Sequence, residues 1–173
     1  LVLTTCINII TFLKKAYSEN ASIDRKILNA LQSDCSGSIA DIADRAGVSQ
    51  TPCWRRIKKL EEAGYIDKRV ALLNPKALSL TMTAYVMVKT AHHDDAWLKR
   101  FADGVQNIPE IVEIHRMAGD IDYLLKVVAS DIAEYDAIYK RLIKVAELSD
   151  VKASFSMECI KTTTELPLSA MTI

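Results

Sequence analysis

The chain has 173 residues, half of them hydrophobic and a quarter charged, with a formal net charge of zero. That length holds one or two small domains, and five glycines and four prolines exclude collagen-like and low-complexity architectures. A zero balance argues against a uniformly basic nucleic-acid binder, but charge is local: residues 24–69 carry nine Lys/Arg against seven Asp/Glu, and residues 70–173 carry eleven against fourteen, which allows a basic site on the first part.

Residues 1–19 open with an apolar run, Leu1 to Leu13, followed by Lys14 and Lys15. In a signal peptide the cations precede the apolar core, and the run is too short to span a bilayer. The expectation is an N-terminal extension, read as a helix for packing on a partner, with no membrane partner. Cys6, Cys35, Cys53 and Cys159 are scattered without a C-x-x-C pair, which points to a reducing cytoplasm and away from a disulfide framework or zinc site.

Residues 20–73 read as helices. Ile23, Ile27, Ala30 and Leu31 recur at helical spacing. In "SIADIADRAGVS", Ser38 is placed to cap a helix with Asp41 three residues on, and Ile39, Ile42, Ala43 and Ala46 form its apolar stripe. Gly47 ends it in a left-handed residue, Val48 anchors the turn, and Ser49 opens the next segment, "SQTPCWRRIKKLEEAGYI".

With Ser49 or Thr51 as N-cap, Pro52 falls in the first turn, where a backbone N–H has no intrahelical partner, so the proline starts the helix and does not break it. Cys53, Ile57, Leu60 and Gly64 then share one face, with Gly64 the end. Thr51, Arg55, Lys58, Lys59 and Glu62 lie opposite, flanked by Arg56. Three short helices with a tight turn between the last two make a helix-turn-helix, whose final helix enters the DNA major groove. The expected DNA-facing set is Ser49, Gln50, Thr51, Pro52, Arg55, Arg56, Lys58 and Lys59. Ser49, Gln50, Thr51 and Arg55 are placed toward base edges or nearby phosphates; Arg56, Lys58 and Lys59 mostly neutralise phosphates. "YIDKRVALL" is expected to add a short strand that carries Lys68 and Arg69 near the DNA backbone.

After a linker at 74–79, residues 80–165 alternate strand and helix patterns in the order β-α-β-β-α-β, which is ferredoxin-like. The strands are read as "LTMTAYVMVKT", "IVEIHRMA", "IDYLLKVVA" and "VKASFSMECIKT". Gly119 and Asp120 are read as a two-residue hairpin loop between the second and third. The helices carry Leu98, Phe101, Ala102 and Val105, then Tyr135, Ile138, Tyr139 and Leu142, and cover one sheet face. The other face would leave Tyr85, Met87, Val112 and Ile114 in water, and a second copy of the sheet would cover it, so a homodimer is expected. Residues 166–173 are a C-terminal tail. The fold class is therefore α+β: a three-helix, winged-helix-like helix-turn-helix domain followed by a ferredoxin-like domain.

Five pieces in order, "IDRKILNALQSD", "SQTPCWRRIKKLEEAGYI", "ALLNP", "AGDIDYLLKV" and "KTTTELPL", span the chain from about residue 22 and resemble the Lrp/AsnC (feast/famine) family of transcription regulators. The resemblance implies double-stranded DNA as partner, dimers assembled into an octamer or another ring, and a small-molecule effector, often an amino acid, bound between effector domains of neighbouring dimers. It implies no other cofactor. The family's "GD-x-D" loop maps onto Gly119, Asp120 and Asp122, with Met117, Ala118 and Tyr123 beside it. Loop N–H groups would hold a carboxylate there, and Asp120 or Asp122 an α-ammonium group. The chain departs from the family at "LSDV", where Pro-Gly commonly precedes the last strand, and residues 1–19 have no counterpart.

Two rival readings stand beside this one. An enzyme or metal site would draw on His92, His93, Asp94 and Asp95, but no third-ligand motif, Walker loop or G-x-S-x-G accompanies them, so no catalytic or metal site is expected. A ligand-sensing or assembly module that reads no DNA is the alternative function.

Overall fold

The computed structural model describes residues 21–170, which fall into two compact units. One runs to Ala71 and resumes at Thr162; the other is Leu72–Lys161. The expected extension over residues 1–19 lies outside the described residues.

The first unit holds three helices: α1 (residues 21–33), α2 (Ile39–Ala46) and α3 (Gln50–Glu62). Each contributes one apolar stripe to a common core: Ile27, Leu28, Ala30 and Leu31 from α1, Ile42, Ala43 and Ala46 from α2, and Cys53, Ile57 and Leu60 from α3. The α2 start is the capping box expected, with the Ser38 hydroxyl accepting from Asp41 N and the Asp41 carboxylate accepting from Ser38 N at 2.8 Å. Gly47 takes φ +68°, a conformation that side chains with a Cβ rarely adopt, and so ends α2 within one residue and sets up the turn into α3.

The last described segment belongs to this unit. Gln32 and Leu166 exchange two hydrogen bonds, Gln32 Nε2 donating to Leu166 O at 3.0 Å and Leu166 N donating to Gln32 Oε1 at 2.9 Å. Leu168 packs on the three-helix core. "YIDKRVALL" does not form the expected strand: residues 66–74 carry no regular structure, and Val70, Leu72 and Leu73 are more than half exposed. A strand exists only where another backbone takes up its N–H and C=O groups, and no described segment pairs with this one.

The second unit is a four-stranded antiparallel sheet in the order β2-β3-β1-β4, built from β1 (Met82–Lys89), β2 (Ile111–Arg116), β3 (Tyr123–Ala129) and β4 (Asp150–Phe155). Helix α4 (Asp95–Gln106) joins β1 to β2 and α5 (Ile132–Leu142) joins β3 to β4, giving the ferredoxin-like connectivity. Period-two alternation puts Ala84, Val86 and Val88 of β1 and Tyr123, Leu125, Val127 and Ala129 of β3 on the helix side. There they meet Trp97, Phe101 and Val105 of α4 and Tyr135, Ile138 and Leu142 of α5. Trp97 stacks on Phe101 with centroids 4.9 Å apart, and Tyr123 closes the aromatic cluster at 4.9 Å from Phe101.

The opposite face presents Tyr85 and Met87 of β1, Lys126 of β3, Glu113 and His115 of β2, and Lys152 and Ser154 of β4, by register. Ile114 is not among them. The pairing shifts between Ile111 and Glu113, so Val112 is an extra, bulged residue, and Ile114 falls opposite Leu125 on the helix side. Strict alternation across β2 therefore fails at Val112. The hairpin differs too: β2 stops at Arg116 and β3 starts at Tyr123, so a six-residue loop, 117–122, replaces the expected two.

Candidate functional site

Helix α3 begins at an N-cap Ser49 in extended conformation, and Cys53 N donates back to Ser49 O at 3.1 Å. Pro52 is the third helical residue. An N-cap hydroxyl ordinarily accepts from the second or third backbone N–H. Proline removes the third, and Ser49 makes no side-chain cap bond. Among the described residues the Ser49 hydroxyl therefore caps no N–H of α3, and it sits at the positive end of the helix dipole.

The buried stripe of α3 turns Gln50, Thr51, Pro52, Arg55, Lys58 and Lys59 to solvent, all of them exposed. The cations are not equivalent. Lys58 Nζ sits 3.0 Å from Glu61 Oε2, and Arg69 Nη2 sits 2.7 Å from the other Glu61 oxygen. These two partners hold the Glu61 carboxyl below the usual range, Lys58 most strongly. Arg56, expected at phosphates, is held against a neighbouring helix. Its side chain is only 23% exposed and reaches across to Asp24 of α1 at 2.7 Å, because its angular position is on the flank facing α1. Arg55 and Lys59 are exposed and make no ion pair among the described residues.

Sequence reasoning missed two residues here. Glu61 was legible as the partner of Lys58 at i+3. Trp54 has no signal in its spacing; it is 51% exposed on the same helix.

The second candidate site is the 117–122 loop. Met117 N donates to Asp122 O at 2.8 Å and Asp122 N to Val88 O at 3.0 Å, closing the loop onto β1. The two aspartates have different jobs. Asp122 Oδ2 accepts from Thr90 N at 2.9 Å, tying the loop to the end of β1, whereas Asp120 is exposed and makes no such bond. Thr90, 6% exposed, is the anchor, and no local pattern announces a partner 32 residues away. Between the closing bonds, the N–H groups of Ala118, Gly119, Asp120 and Ile121 make no backbone hydrogen bond among the described residues. Gly119 takes φ +147°, and open space surrounds the position of an added Cβ. Met117 is 40% exposed, and Tyr123 is turned into the aromatic core, away from the loop's open side.

Two of the remaining polar candidates have structural partners. Asp94 caps α4 by accepting from Trp97 N at 2.9 Å, and His92 Nε2 lies 3.4 Å from Glu147. No three His, Cys, Asp or Glu side chains converge among the described residues. Cys53 is fully buried, and burial pushes its thiol up, which makes it a packing residue. Cys35, Cys53 and Cys159 are free thiols. No helix among the described residues is long and apolar enough to cross a membrane.

Comparison with known proteins agrees with this geometry. Residues 21–67 match the winged helix-turn-helix DNA-binding family, and residues 83–166 match the Lrp/AsnC ligand binding domain. The DNA-binding transcriptional activator DecR of Escherichia coli K12 is 47% identical over 147 residues, covering 84% of this chain and 97% of its own. A crystal structure of an AsnC family transcriptional regulator from Agrobacterium tumefaciens superposes with a TM-score of 0.84 at 54% identity, over 87% of this chain and 98% of that one. A transcriptional regulator of Neisseria meningitidis in complex with L-methionine superposes with a TM-score of 0.80 at 32% identity, over 85% and 96%. With a helix-turn-helix unit, a sheet domain that matches the Lrp/AsnC ligand binding domain, and relatives aligned across most of the chain, the chain belongs to the Lrp/AsnC family of DNA-binding transcription regulators.

Proposed function

We propose that α3 reads duplex DNA through Ser49, Gln50, Thr51, Arg55 and Lys59, and that an amino acid held at the 117–122 loop governs that binding. The observation that carries the reading is the exposed face of α3: an uncapped, positively polarised N-terminus backed one turn later by outward cations. Pro52 shapes the start, Lys58 contributes through its Glu61 pairing, and Arg56 holds α3 to α1. At the loop, the free N–H groups from Ala118 to Ile121 suit a carboxylate, Asp120 suits an α-ammonium group, and Asp122 sets the loop's position. Met117 and Ala118 supply apolar contact. The L-methionine complex of the Neisseria meningitidis neighbour supports an amino acid as the effector class.

A second copy of the chain covers the sheet face that carries Tyr85 and Met87, and such dimers assemble into an octamer or another ring with the effector between them. Regulation and not catalysis is the activity, and the cytoplasm its place. Two measurements test this. Duplex binding should weaken steeply with salt. In a screen of the twenty amino acids, at least one should raise the melting temperature, because a ligand of the native state stabilises it by mass action. Salt-independent duplex binding, or none, would remove the DNA assignment; twenty flat melting curves would remove the effector assignment.

A further inference from the structure

The chain has two tryptophans, and they stand in opposite environments. Trp97 is 3% exposed, stacked on Phe101, with its indole N–H donating to Glu147 O at 2.9 Å. Trp54 is 51% exposed, and no aromatic ring stacks on it among the described residues. It is the fifth residue of α3, beside Gln50 and Lys58 four positions away on either side and Thr51 three before. It lies outside the buried stripe of Cys53, Ile57 and Leu60.

The depth matters. Residues in the first turns of a reading helix are those that reach base edges, and Trp54 is one turn in. Its neighbours Gln50 and Thr51 offer hydrogen bonds, and Lys58 offers charge. Trp54 offers a flat apolar surface and one N–H. On the major-groove edge of the bases the one apolar group is the C5 methyl of thymine. A phosphate has no use for the indole face.

We propose that Trp54 packs against a thymine methyl in the major groove and is a specificity-determining residue of α3. The proposal rests on the assignment of α3 as the reading helix. Contact with a deoxyribose instead would be indifferent to sequence, and the experiment separates the two.

The intact chain is used to select a tight-binding duplex from a random-sequence library. Covering the exposed half of an indole, roughly 100 Å2, is worth on the order of tenfold to a hundredfold in affinity. Trp54→Ala should lose that on the selected duplex while binding an unrelated duplex nearly as the parent does, and its melting temperature should match the parent's. Each thymine of the selected duplex is then replaced by deoxyuridine, which lacks only the methyl. At one thymine per half-site the parent should lose about fourfold, and Trp54→Ala should lose nothing more, because both changes remove one contact. Saturation with duplex should shift the parent's tryptophan emission, whereas Trp54→Phe, left with buried Trp97, should show no shift.

Equal loss by Trp54→Ala on selected and unrelated duplexes, or parallel sensitivity of parent and variant to every deoxyuridine, would overturn the methyl contact while leaving α3 as the reading helix. An unshifted emission at saturation would do the same. A parent that binds no duplex would remove the assignment of α3 itself.

Discussion

Two adjacent arginines on α3 should behave oppositely when removed. Arg55 is exposed, whereas Arg56 is 23% exposed and paired with the 16%-exposed Asp24 of α1 at 2.7 Å. Each phosphate contact adds about 0.9 to the slope of log affinity against log salt on duplex DNA. If two copies of α3 engage the site, Arg55→Ala should flatten the slope by about 1.8. Between 50 and 200 mM salt the parent's affinity then falls about twelvefold more than the variant's. Melting should be unchanged, since Arg55 bonds to no described side chain through an ion pair. Arg56→Ala instead leaves Asp24 without this partner in a half-buried place. The cost should fall between the exposed and buried limits, about 2 kcal/mol, or roughly 4–8 °C of melting temperature for a chain of this size. The assay is fluorescence anisotropy on a fixed duplex across salt, with thermal unfolding of the same preparations. An Arg56→Ala variant that melts like the parent but loses as much salt slope as Arg55→Ala would refute the division of labour. So would an Arg55→Ala variant with the parent's slope.

Three other outcomes follow from the same reasoning. Asp122→Ala strips the buried Thr90 N–H of its acceptor and should cost about 1–3 kcal/mol by thermal unfolding, whereas Asp120→Ala should melt like the parent but lose the effector-induced rise in melting temperature; a normal rise would count against Asp120. Gly104→Ala would usually favour a helix by up to ~1 kcal/mol, but its new methyl collides with the stiff Val145 side chain, and overpacking of about 1–3 kcal/mol should win; a higher melting temperature would show that Val145 yields. The Asp41 carboxyl is held below its usual range by the Ser38 hydroxyl and N–H, so its stabilising effect is present above that range and lost as pH falls through the lowered value. Asp41→Asn should therefore melt below the parent at neutral pH and converge with it in acid, and a difference that persists in acid would argue against the capping box as its source.

What the sequence made legible is what neighbours along the chain decide. The Ser38–Asp41 capping box, the Gly47 stop and the buried stripe of α3 each rest on residues within a few positions of one another. The features that escaped depend on distant partners. Nothing near Arg56 announces Asp24, and nothing near Asp122 announces Thr90; both pairs are separated by 32 positions and meet only once the helices and strands have packed. The Val112 bulge escaped because alternation of apolar and polar residues assumes one-to-one pairing, and a single extra residue shifts every later side chain to the other face. The strand expected after α3 does not form for a related reason: a strand needs a second backbone, and this one has no described partner.

The hydrogen-bonded junction of Gln32 with Leu166, and the seat of Leu168 on the three-helix core, also bear on the order of synthesis. A ribosome delivers α1 to α3 long before it delivers Leu168, and the whole sheet module emerges in between. Until the sheet has been translated, the nascent trio of helices is short of one peripheral apolar contact, and its Gln32 amide stays solvated. A chain that stalls within the sheet would carry the three helices without these contacts.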